Sequence, residues 1–504
     1  MKGFVFIYGK EIFLRFLSTN AFRELNKQHQ LVYVAMKSSS QTKEGGLDES
    51  LEAAGLPKLE WIHFYPGRFA KWLELFDTSC GLYKERSTSF QTRYEEYIKK
   101  DPRKLSQLEK FTTATSFPQY REEQEAEMGL HPDILEFTYR ERPDFFILPS
   151  AILDYCTDDV LQIAEKLKIP TIMLVAGWDN LSSKGILYHY PSAMGVWGEQ
   201  NRRHAIDIQK ALPECVFTIG APHYDDFHPI DEVNKAGLRA EFGLPSQGKT
   251  VLFAGTFRLF DETQLLKEID EAIENGQLPQ MKILYRPHPW RVNRKSEEDF
   301  FTQTWRHIHM DPEIVKTYQA AKANRRQAIP DDFGIRTKHL IKIYKSVDAV
   351  ISPMSTVLLE ALLFGLPVQA VAFSDGKHSW SSDKVSTMEH FKELFAIPNL
   401  LVSRKREDFF PQMKSLVDLS GRVDIQQALV ESTQELLYRD GRSYAKRVAD
   451  LVESTLAKSE AKPAYDRIQL EPGKTYTPSV LQQCWRLVKI LFKKVRQLLN
   501  TLKI

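Results

Sequence analysis

Short apolar runs alternate with longer amphipathic segments along most of the chain. The run Gly3–Tyr8 has the length of a buried strand, Phe13–Gln28 has helical spacing, and Leu31–Ala35 is again a short apolar run. Further strands are predicted at Asp144–Leu148, Thr171–Ala176, Ala193–Trp197, Val216–Ile219, Thr250–Gly255, Met281–Tyr285, Ala349–Ile351, Val368–Phe373 and Leu400–Val402. Because strands that alternate with helices form βαβ units around parallel sheets, we expect an α/β fold.

Two interruptions of this pattern indicate the domain organisation. Residues 37–130 are rich in charged and aromatic residues with helical spacing, which predicts a helical insertion that either covers a substrate or only packs. The segment Pro222–Pro229 predicts a link between a first domain, residues 1–230, and a second domain, residues 231–458. The helices expected over residues 408–458 are placed to pack back across the interface. With 504 residues, 42% of them hydrophobic, the chain can bury two such cores.

The C-terminal part of the sequence differs from the rest. Residues 459–479 are polar, contain Pro and Gly, and predict a linker. Residues 480–504 predict a basic amphipathic helix without acidic residues, typical of an interfacial membrane anchor. Its apolar face consists of Leu481, Trp485, Val488, Phe492, Val495, Leu499 and Leu502. The alternative is a short coiled coil, because the same spacing fits a heptad, although uniform positive charge opposes parallel self-pairing.

Composition and charge narrow the functional classes. The formal net charge of +2 gives no indication of a nucleic-acid partner. Cys80, Cys156, Cys215 and Cys484 are far apart, which argues against a disulfide framework or metal cluster and fits a reducing compartment. We expect neither a signal peptide, since charged residues directly follow the first apolar run, nor a transmembrane helix. The predicted location is therefore cytoplasmic, peripheral on the inner face of the cytoplasmic membrane through residues 480–504.

The segment Lys345–Val368 has the pattern of a strand, a tight turn, a helix and a second strand. Residues Ser352–Thr356 have turn and N-cap chemistry, and the helix is predicted over Val357–Phe364. Its opening presents free N–H groups and the positive end of the helix dipole, where a phosphate can bind. Glu360 lies about one turn into the helix, within reach of a neighbouring ribose. The alternative is an ordinary strand–helix unit of an open sheet, which has the same pattern.

A second segment places polar groups just beyond a predicted strand. The strand Met281–Tyr285 continues into Arg286-Pro-His-Pro289, whose prolines restrict the backbone. Arg286 offers a fork of donors that matches phosphate, and His288 offers a donor near neutral pH. Ligands of open α/β sheets bind beyond the carboxyl ends of the strands, so this position favours a ligand contact. The alternative is a proline-stiffened loop with a surface histidine.

These two segments together resemble the C-terminal half of GT-B glycosyltransferases. The resemblance rests on Arg286-Pro-His-Pro289, Ser352-Pro-Met-Ser-Thr356 and Glu360 to Val368. It is strongest to bacterial surface-polysaccharide enzymes, the group of capsule Kdo transferases and CDP-glycerol glycerophosphotransferases. In the first half, Ala176–Gly185, Val196–Glu199 and Gly220–Asp225 resemble motifs of surface-carbohydrate proteins of the same fold. The resemblance spans about residues 1–455 and implies GT-B architecture, two Rossmann-like domains that face a cleft.

The resemblance implies that the second domain binds a nucleotide-activated sugar as the donor. The expected donor nucleotide and phosphate contacts are Arg258, Arg286, His288, Ser352, Met354, Ser355, Thr356 and Glu360. The chain contains no Asp-x-Asp pair, so we expect neither a metal nor another cofactor. The helix opening at Ser355-Thr356, together with His288 and Arg286, would stabilise the leaving phosphate, with His288 in a catalytic role.

The general base is expected in the first domain, across the cleft. Asp179 is the first candidate, because it follows a strand end and an adjacent indole is expected to raise its pKa; the alternative is that it caps the next helix. Glu199 is the second candidate. His223 is either structural or a hydrogen-bond donor, and Lys184 either contacts phosphate or is solvated.

Two further positions are candidate substrate contacts. Gly9 follows the first strand, where a glycine lets a ligand approach the backbone. Asp375 follows a strand of the second domain and either contacts the donor or belongs to a surface turn.

The sequence therefore favours an inverting, metal-independent glycosyltransferase that acts on a surface polysaccharide or a glycan or lipid-linked acceptor. A polyol-phosphate transferase is a less favoured alternative, because the first half lacks an obvious His-Gly base motif. A nucleotide-sugar 2-epimerase-like enzyme and a non-catalytic membrane-bound scaffold are further alternatives. The oligomeric state stays open.

Overall fold

Two parallel sheets, one in each half of the chain, form the framework of the molecule. The computed structural model describes residues 1–37, 47–111, 116–228, 234–257, 259–288, 300–301, 303–323, 333–459 and 463–465.

The first sheet has seven strands in the order β3-β2-β1-β4-β5-β6-β7. The strands are β1 (Lys2–Ile7), β2 (Gln30–Met36), β3 (Leu59–Ile62), β4 (Phe145–Ser150), β5 (Thr171–Val175), β6 (Ala193–Val196) and β7 (Val216–Thr218). Every predicted strand of this half is confirmed. Strand β3 was not predicted: it lies inside the segment 37–130, where we expected a helical insertion, and it is the strand among several helices of the described part of that segment. It pairs with β2 alone, and a short edge strand has a weak apolar pattern.

The second sheet has six strands in the order β10-β9-β8-β11-β12-β13, and all its pairs are parallel. The strands are β8 (Lys249–Ala254), β9 (Met281–Arg286), β10 (Ile308–Met310), β11 (Ala349–Pro353), β12 (Val368–Val371) and β13 (Leu401–Ser403). The five predicted strands are again confirmed, and the short edge strand β10 was missed. Each sheet therefore presents the carboxyl ends of its strands at one edge, where ligands of such sheets bind.

Helices flank both sheets. In the first half they span Lys10–Ile12, Arg23–Gln28, Leu47–Ala53, Pro66–Leu82, Thr88–Arg93, Pro102–Glu109, Phe117–Met128, Pro132–Glu141, Thr157–Leu167, Asn180–Ser183 and Glu199–Asp207. In the second half they span Lys235–Glu241, Glu262–Glu274, Pro312–Ala323, Phe333–Ser346, Val357–Leu363, Ser382–Val385, Phe391–Phe395, Phe409–Leu419, Val423–Ser432 and Tyr444–Lys458. The helix predicted over Phe13–Gln28 is divided: Phe13–Leu17 is a π-helical turn, and Asn20 has a φ of 55°, which interrupts the helix before Arg23.

The helix Tyr444–Lys458, called the return helix below, crosses from the second half of the chain to the first domain. Its residues Tyr444, Val448 and Val452 are buried in the hydrophobic core of the first sheet. Arg447, almost fully buried, donates a hydrogen bond to the carbonyl of Ile219 (2.8 Å). The expectation that residues 408–458 are helical and pack back is thus confirmed for this last helix.

The two domains also meet through the insertion. The backbone N–H and the hydroxyl of Thr88 both donate to Glu389 of the second domain, each at 3.0 Å. Lys384 forms an ion pair with Glu96 at 2.8 Å. The insertion therefore contacts the second domain, in addition to packing on the first.

The predicted anchor, residues 480–504, and most of the predicted linker, residues 459–479, lie outside the described residues. Among the helices that are described, none combines the length and the apolar character that crossing a bilayer requires.

Candidate functional site

The loops after β8 and β11 are tied together at the cleft-facing edge of the second sheet. Ser352, fully buried at the end of β11, donates from its hydroxyl to the carbonyl of Ala254 at the end of β8 (2.8 Å). The Ser355 hydroxyl lies 2.9 Å from that of Ser352. Met354 is buried beneath the turn, and Thr356 is the N-cap residue of helix Val357–Leu363. The structure thus brings the predicted turn residues together at one point.

A buried carboxylate that the sequence analysis missed holds the loop after β8. Glu262 accepts hydrogen bonds from the backbone N–H of Thr256 (2.7 Å) and from the Tyr285 hydroxyl (2.8 Å). A Cβ atom on Gly255 would lie 2.1 Å from a Glu262 oxygen, so any other residue there would displace this carboxylate. The signal for Glu262 in the sequence is only an acid in the first turn of a helix, which occurs in many helices that bind nothing.

Arg286 lies in an ion-pair cluster at the end of β9. Its guanidinium contacts Asp311, which is fully buried, and lies 3.7 Å from a Glu313 oxygen. His339 lies 2.9 Å from the same aspartate. Burial alone would raise the pKa of Asp311, but His339 and Arg286 together hold it below its ordinary value. The cluster fixes the guanidinium at the edge where the donor was predicted to bind.

Asp311, Glu313 and His339 also have the chemistry of a metal-ligand set, and their ligand atoms lie within 4.8 Å of one another. The Arg286 guanidinium contacts Asp311, so a divalent cation bound there would face a positive charge at close range. The observed contacts therefore fit an ion-pair network better than a metal centre.

His288 follows Arg286 and is partly exposed, with its ring centroid 5.7 Å from that of Phe257. Arg258 lies outside the described residues, so its predicted phosphate contact stays a prediction.

Glu360 lies in the short helix after β11 and is buried. Its two oxygens accept hydrogen bonds from the hydroxyls of Tyr224 (3.0 Å) and Tyr344 (2.6 Å). Burial and the adjacent carboxylate raise the pKa of both tyrosines well above the ordinary value, so both remain neutral donors. Tyr224 belongs to the first half of the chain, so Glu360 joins the segment between the domains to the second domain. The predicted ribose contact of Glu360 stays a prediction beside this structural role.

Asp375 organises its own loop. Its carboxylate accepts hydrogen bonds from the backbone N–H groups of Asp261 (2.7 Å), Lys377 (2.9 Å) and His378 (3.0 Å). Burial alone would raise the pKa of Asp375, but these N–H donors hold it below its ordinary value. These contacts fit the surface-turn alternative.

Asp179, in the first domain, lies in an environment that lowers its pKa, whereas we expected one that raises it. It is the N-cap residue of helix Asn180–Ser183, and its carboxylate accepts a hydrogen bond from the Ser183 hydroxyl (3.0 Å). Lys184 lies 3.7 Å away. Burial alone would raise the pKa of Asp179, but Lys184 and His390 outweigh it and hold the pKa below its ordinary value. The expectation of a raised pKa was therefore wrong: Lys184, five residues further along the chain, and His390, which comes from the second domain, both act against the effect of burial.

His390 meets Asp179 across the interface. It is almost fully buried, and its ring centroid lies 5.0 Å from that of Trp178. Burial lowers the pKa of His390 to about 4, against the opposing effect of Asp179, so the imidazole is neutral at physiological pH.

The remaining first-domain candidates are dispersed. Glu199 begins helix Glu199–Asp207 after β6, and Gly9 has an extended backbone (φ −156°) that any residue can adopt. His223 is buried with its ring centroid 4.0 Å from that of Tyr224. Burial, with a smaller effect of Arg15, lowers the pKa of His223 well below its ordinary value, which fits the structural alternative.

A cavity of about 650 Å³ lies beside His223, between the domains. It is lined by the segments 18–23, 222–228, 337–341 and 439–447, which come from both halves of the chain.

One family model matches part of the chain. Residues 210–323 match the family described as CDP-glycerol:poly(glycerophosphate) glycerophosphotransferase. A search of curated proteins found no match.

Solved structures match nearly the whole chain. A putative UDP-N-acetylglucosamine 2-epimerase from Listeria monocytogenes has 11% sequence identity and a TM-score of 0.51, covering 91% of this chain and 97% of its own. MnaA of S. aureus, solved together with UDP, has 12% identity and a TM-score of 0.50, covering 92% of this chain and 99% of its own. At this identity the likeness establishes the fold, which is GT-B as the sequence resemblance implied.

Proposed function

We propose that this chain, a GT-B transferase, moves a polyol phosphate from a CDP-activated donor to a surface polymer or its lipid-linked precursor. The observation that carries the proposal is the match of residues 210–323 to a glycerophosphotransferase family. That stretch contains β8, β9 and the Arg286-Pro-His-Pro289 turn, which form part of the predicted donor side. Because the matched residues belong to the predicted donor side, the match is an argument about which donor is used. It replaces the preference for a sugar donor, which rested on the sequence motifs, by a preference for a polyol-phosphate donor.

A sugar donor is the second candidate, and the fold favours it. Two of the whole-chain structural matches are a putative UDP-N-acetylglucosamine 2-epimerase and a protein solved with UDP. Both candidate donors contain a pyrophosphate, so both need hydrogen-bond donors in the second domain that point at it. The two candidates therefore differ in the nucleotide that the chain should bind: a cytidine nucleotide for the polyol-phosphate donor and a uridine nucleotide for the sugar donor.

The second domain supports the departure of the nucleotide. The acceptor oxygen forms a bond to the phosphorus of the polyol phosphate, the bond from that phosphorus to the bridging oxygen breaks, and CMP leaves with the electron pair. His288, the Ser355 hydroxyl and the N-terminus of helix Val357–Leu363 are the groups we assign to the leaving phosphate. No step requires a metal. The first domain binds the acceptor and provides the group that takes the proton of the acceptor hydroxyl.

A nucleotide-binding test decides between the candidates. Melting temperatures of the purified chain are measured with CMP, CDP, UMP and UDP, because a ligand that binds only the folded state stabilises it by about 2.7 kcal/mol at a hundredfold excess over its Kd. We expect cytidine nucleotides to raise the melting temperature, and the His288→Ala variant to lose most of that shift. His63→Ala, an exposed histidine of the first domain, is the matched control and keeps it.

A shift with uridine nucleotides alone would replace the polyol donor by the sugar donor. No shift with any of the four would contradict the transferase proposal and favour a scaffold.

A further inference from the structure

A carboxylate that no sequence motif indicated lies at the cleft-facing edge of the first sheet. Asp154 follows β4, and β4 pairs in parallel with both β1 and β5. As a residue Asp154 is half-buried, whereas Tyr8, which follows β1, is buried beside it. Asp154 therefore sits at the carboxyl ends of the central strands, the edge where the first domain would present an acceptor.

The hydrogen bonds of Asp154 converge on one of its two oxygens. Oδ2 accepts from the backbone N–H of Ala151 (2.5 Å), the Tyr8 hydroxyl (2.9 Å) and the Ser150 hydroxyl (3.3 Å). Within the described part of the chain, no donor lies at hydrogen-bond distance from Oδ1. The carboxylate is thus fixed through one oxygen, and the other remains available to a substrate hydroxyl.

Three ionisable groups lie near Asp154: Tyr8 directly after β1, Glu11 on the helix Lys10–Ile12, and Cys156 on its own loop. None of these three is a cation, and the charge of Glu11 favours the protonated form of Asp154. Burial, as the largest effect, and then the charge of Glu11 raise the pKa of Asp154 to about 6, although the N–H of Ala151 and the Tyr8 hydroxyl oppose them. Such a group is ionised near neutral pH and still binds a proton well, as a general base requires.

We propose that Asp154 is the general base of the first domain, and this inference rests on the proposed transferase function. Oδ1 takes the proton of the acceptor hydroxyl while that oxygen bonds to the donor phosphorus, the bond to the bridging oxygen breaks, and CMP leaves with the electron pair. Asp179 is the poorer base, because Lys184 and the other groups around it hold its pKa below the ordinary value.

The alternative role for Asp154 is structural. Its bond to the N–H of Ala151, three residues earlier, could serve only to hold the turn after β4. A residue that only stabilises a turn affects folding or overall activity, but it does not set how kcat/KM changes with pH. The pH profile therefore separates the two roles.

The test measures CMP release from CDP-glycerol, with glycerol as surrogate acceptor, from about pH 5 to pH 8. In the wild-type chain kcat/KM should rise with pH through about 6, as Asp154 loses its proton. Asp154→Asn should lower kcat/KM by about 10²–10⁴-fold and remove this rise. Tyr8→Phe removes a hydrogen bond that lowers the pKa of Asp154, so it should keep the rise and move its midpoint to higher pH.

Two matched variants control for the loss of an acid elsewhere. Asp158→Asn removes a carboxylate of the neighbouring helix, whose pKa burial raises to about 7, and should leave the profile unchanged. Asp179→Asn should keep the rise near pH 6.

The failures of the two proposals are distinguishable. A wild-type chain that releases no nucleotide from CDP-glycerol or from a UDP-sugar overturns the proposed function, and with it the role of Asp154. A wild-type chain that is active, together with an Asp154→Asn variant that binds CDP normally and keeps the rise near pH 6, overturns the role of Asp154 alone. If Asp154→Asn does not fold, the midpoint in Tyr8→Phe decides, and an unchanged midpoint counts against the proposal.

Discussion

Asp154 and Asp179 of the first domain differ in pKa because different groups surround them in the folded chain. Asp154 and Asp179 both follow strands of the same sheet, and burial acts on both in the same direction. Lys184 and His390 reverse the effect at Asp179, whereas none of the largest effects on the pKa of Asp154 comes from a cation. His390 comes from the other domain, so the protonation of a first-domain acid depends on how the domains are joined.

Asp311 should make the stability of the chain depend on acid pH. Its folded-state pKa lies below its ordinary value of 3.8, so its contribution is fully present above that value and is lost as the pH falls through the folded-state pKa. Asp311→Asn leaves Arg286 and His339 without their buried partner, and we expect a loss of about 3–5 kcal/mol at neutral pH.

Urea unfolding of wild type and Asp311→Asn at several pH values checks this. The difference between them should begin to shrink below about pH 4, where the carboxylate of the unfolded chain takes up a proton. It should be lost once the pH falls below the folded-state pKa of Asp311. Asp424→Asn, an exposed acid at 65% side-chain exposure, serves as the control and should change little. A difference that stays constant into the acid range would show that the pairing does not stabilise the fold.

At the scale of elements, the central strands follow directly from the sequence and the edge elements do not. Strands such as β4 and β8 are continuous apolar runs because helices cover both faces of the sheet. Strands β3 and β10 are short edge strands with one neighbour each, so their apolar pattern is weak. Asn20, in the left-handed region, divides a helix whose spacing alone looked continuous.

The contact between the insertion and the second domain should be visible in hydrogen exchange. Glu389 accepts two hydrogen bonds from Thr88, the first residue of helix Thr88–Arg93. In Glu389→Gln we expect faster amide exchange over residues 88–98, since the amide is a weaker acceptor than the carboxylate, with little change in the melting temperature. Glu407→Gln, in an exposed turn of the second domain, is the control. Unchanged exchange in the helix would mean that the contact does not restrain the insertion.

At the scale of the whole molecule, local sequence was enough to propose the donor residues, but it was not enough to propose Asp154. The residues of the donor side lie in two continuous motifs, each next to its own strand. On the acceptor side, Asp154 is held by a hydrogen bond from Tyr8, a residue 146 positions earlier in the chain. Such a pair can be recognised only once the sheet order brings β1 beside β4. Asp179 was predicted as the base because it follows a strand and stands next to Trp178 in the sequence. Its pKa, however, is set by the groups that surround it in the folded chain.

Deletion of residues 480–504 should release the protein from membranes. That segment is basic and amphipathic, and each Lys or Arg near an anionic surface is worth about 1 kcal/mol. We expect the full chain to sediment with anionic vesicles at low salt and much less at high salt, and the truncated chain to remain in the supernatant. CDP should bind the truncated chain as before, because the donor side is intact. Equal sedimentation of both chains would exclude the anchor role and leave the coiled-coil alternative.

The return helix has a consequence for the order in which the protein can fold during synthesis. The first domain is encoded by about the first 230 residues, but its core is closed by Tyr444, Val448 and Val452. At about 5–20 residues per second, the ribosome needs roughly 10–40 s more to reach these residues. During that interval the second domain can fold first, while the nascent first domain carries an uncovered apolar surface. The N-terminal half is therefore the part of this chain that we expect a chaperone to hold, and a gene fragment that encodes it alone should yield an aggregation-prone product.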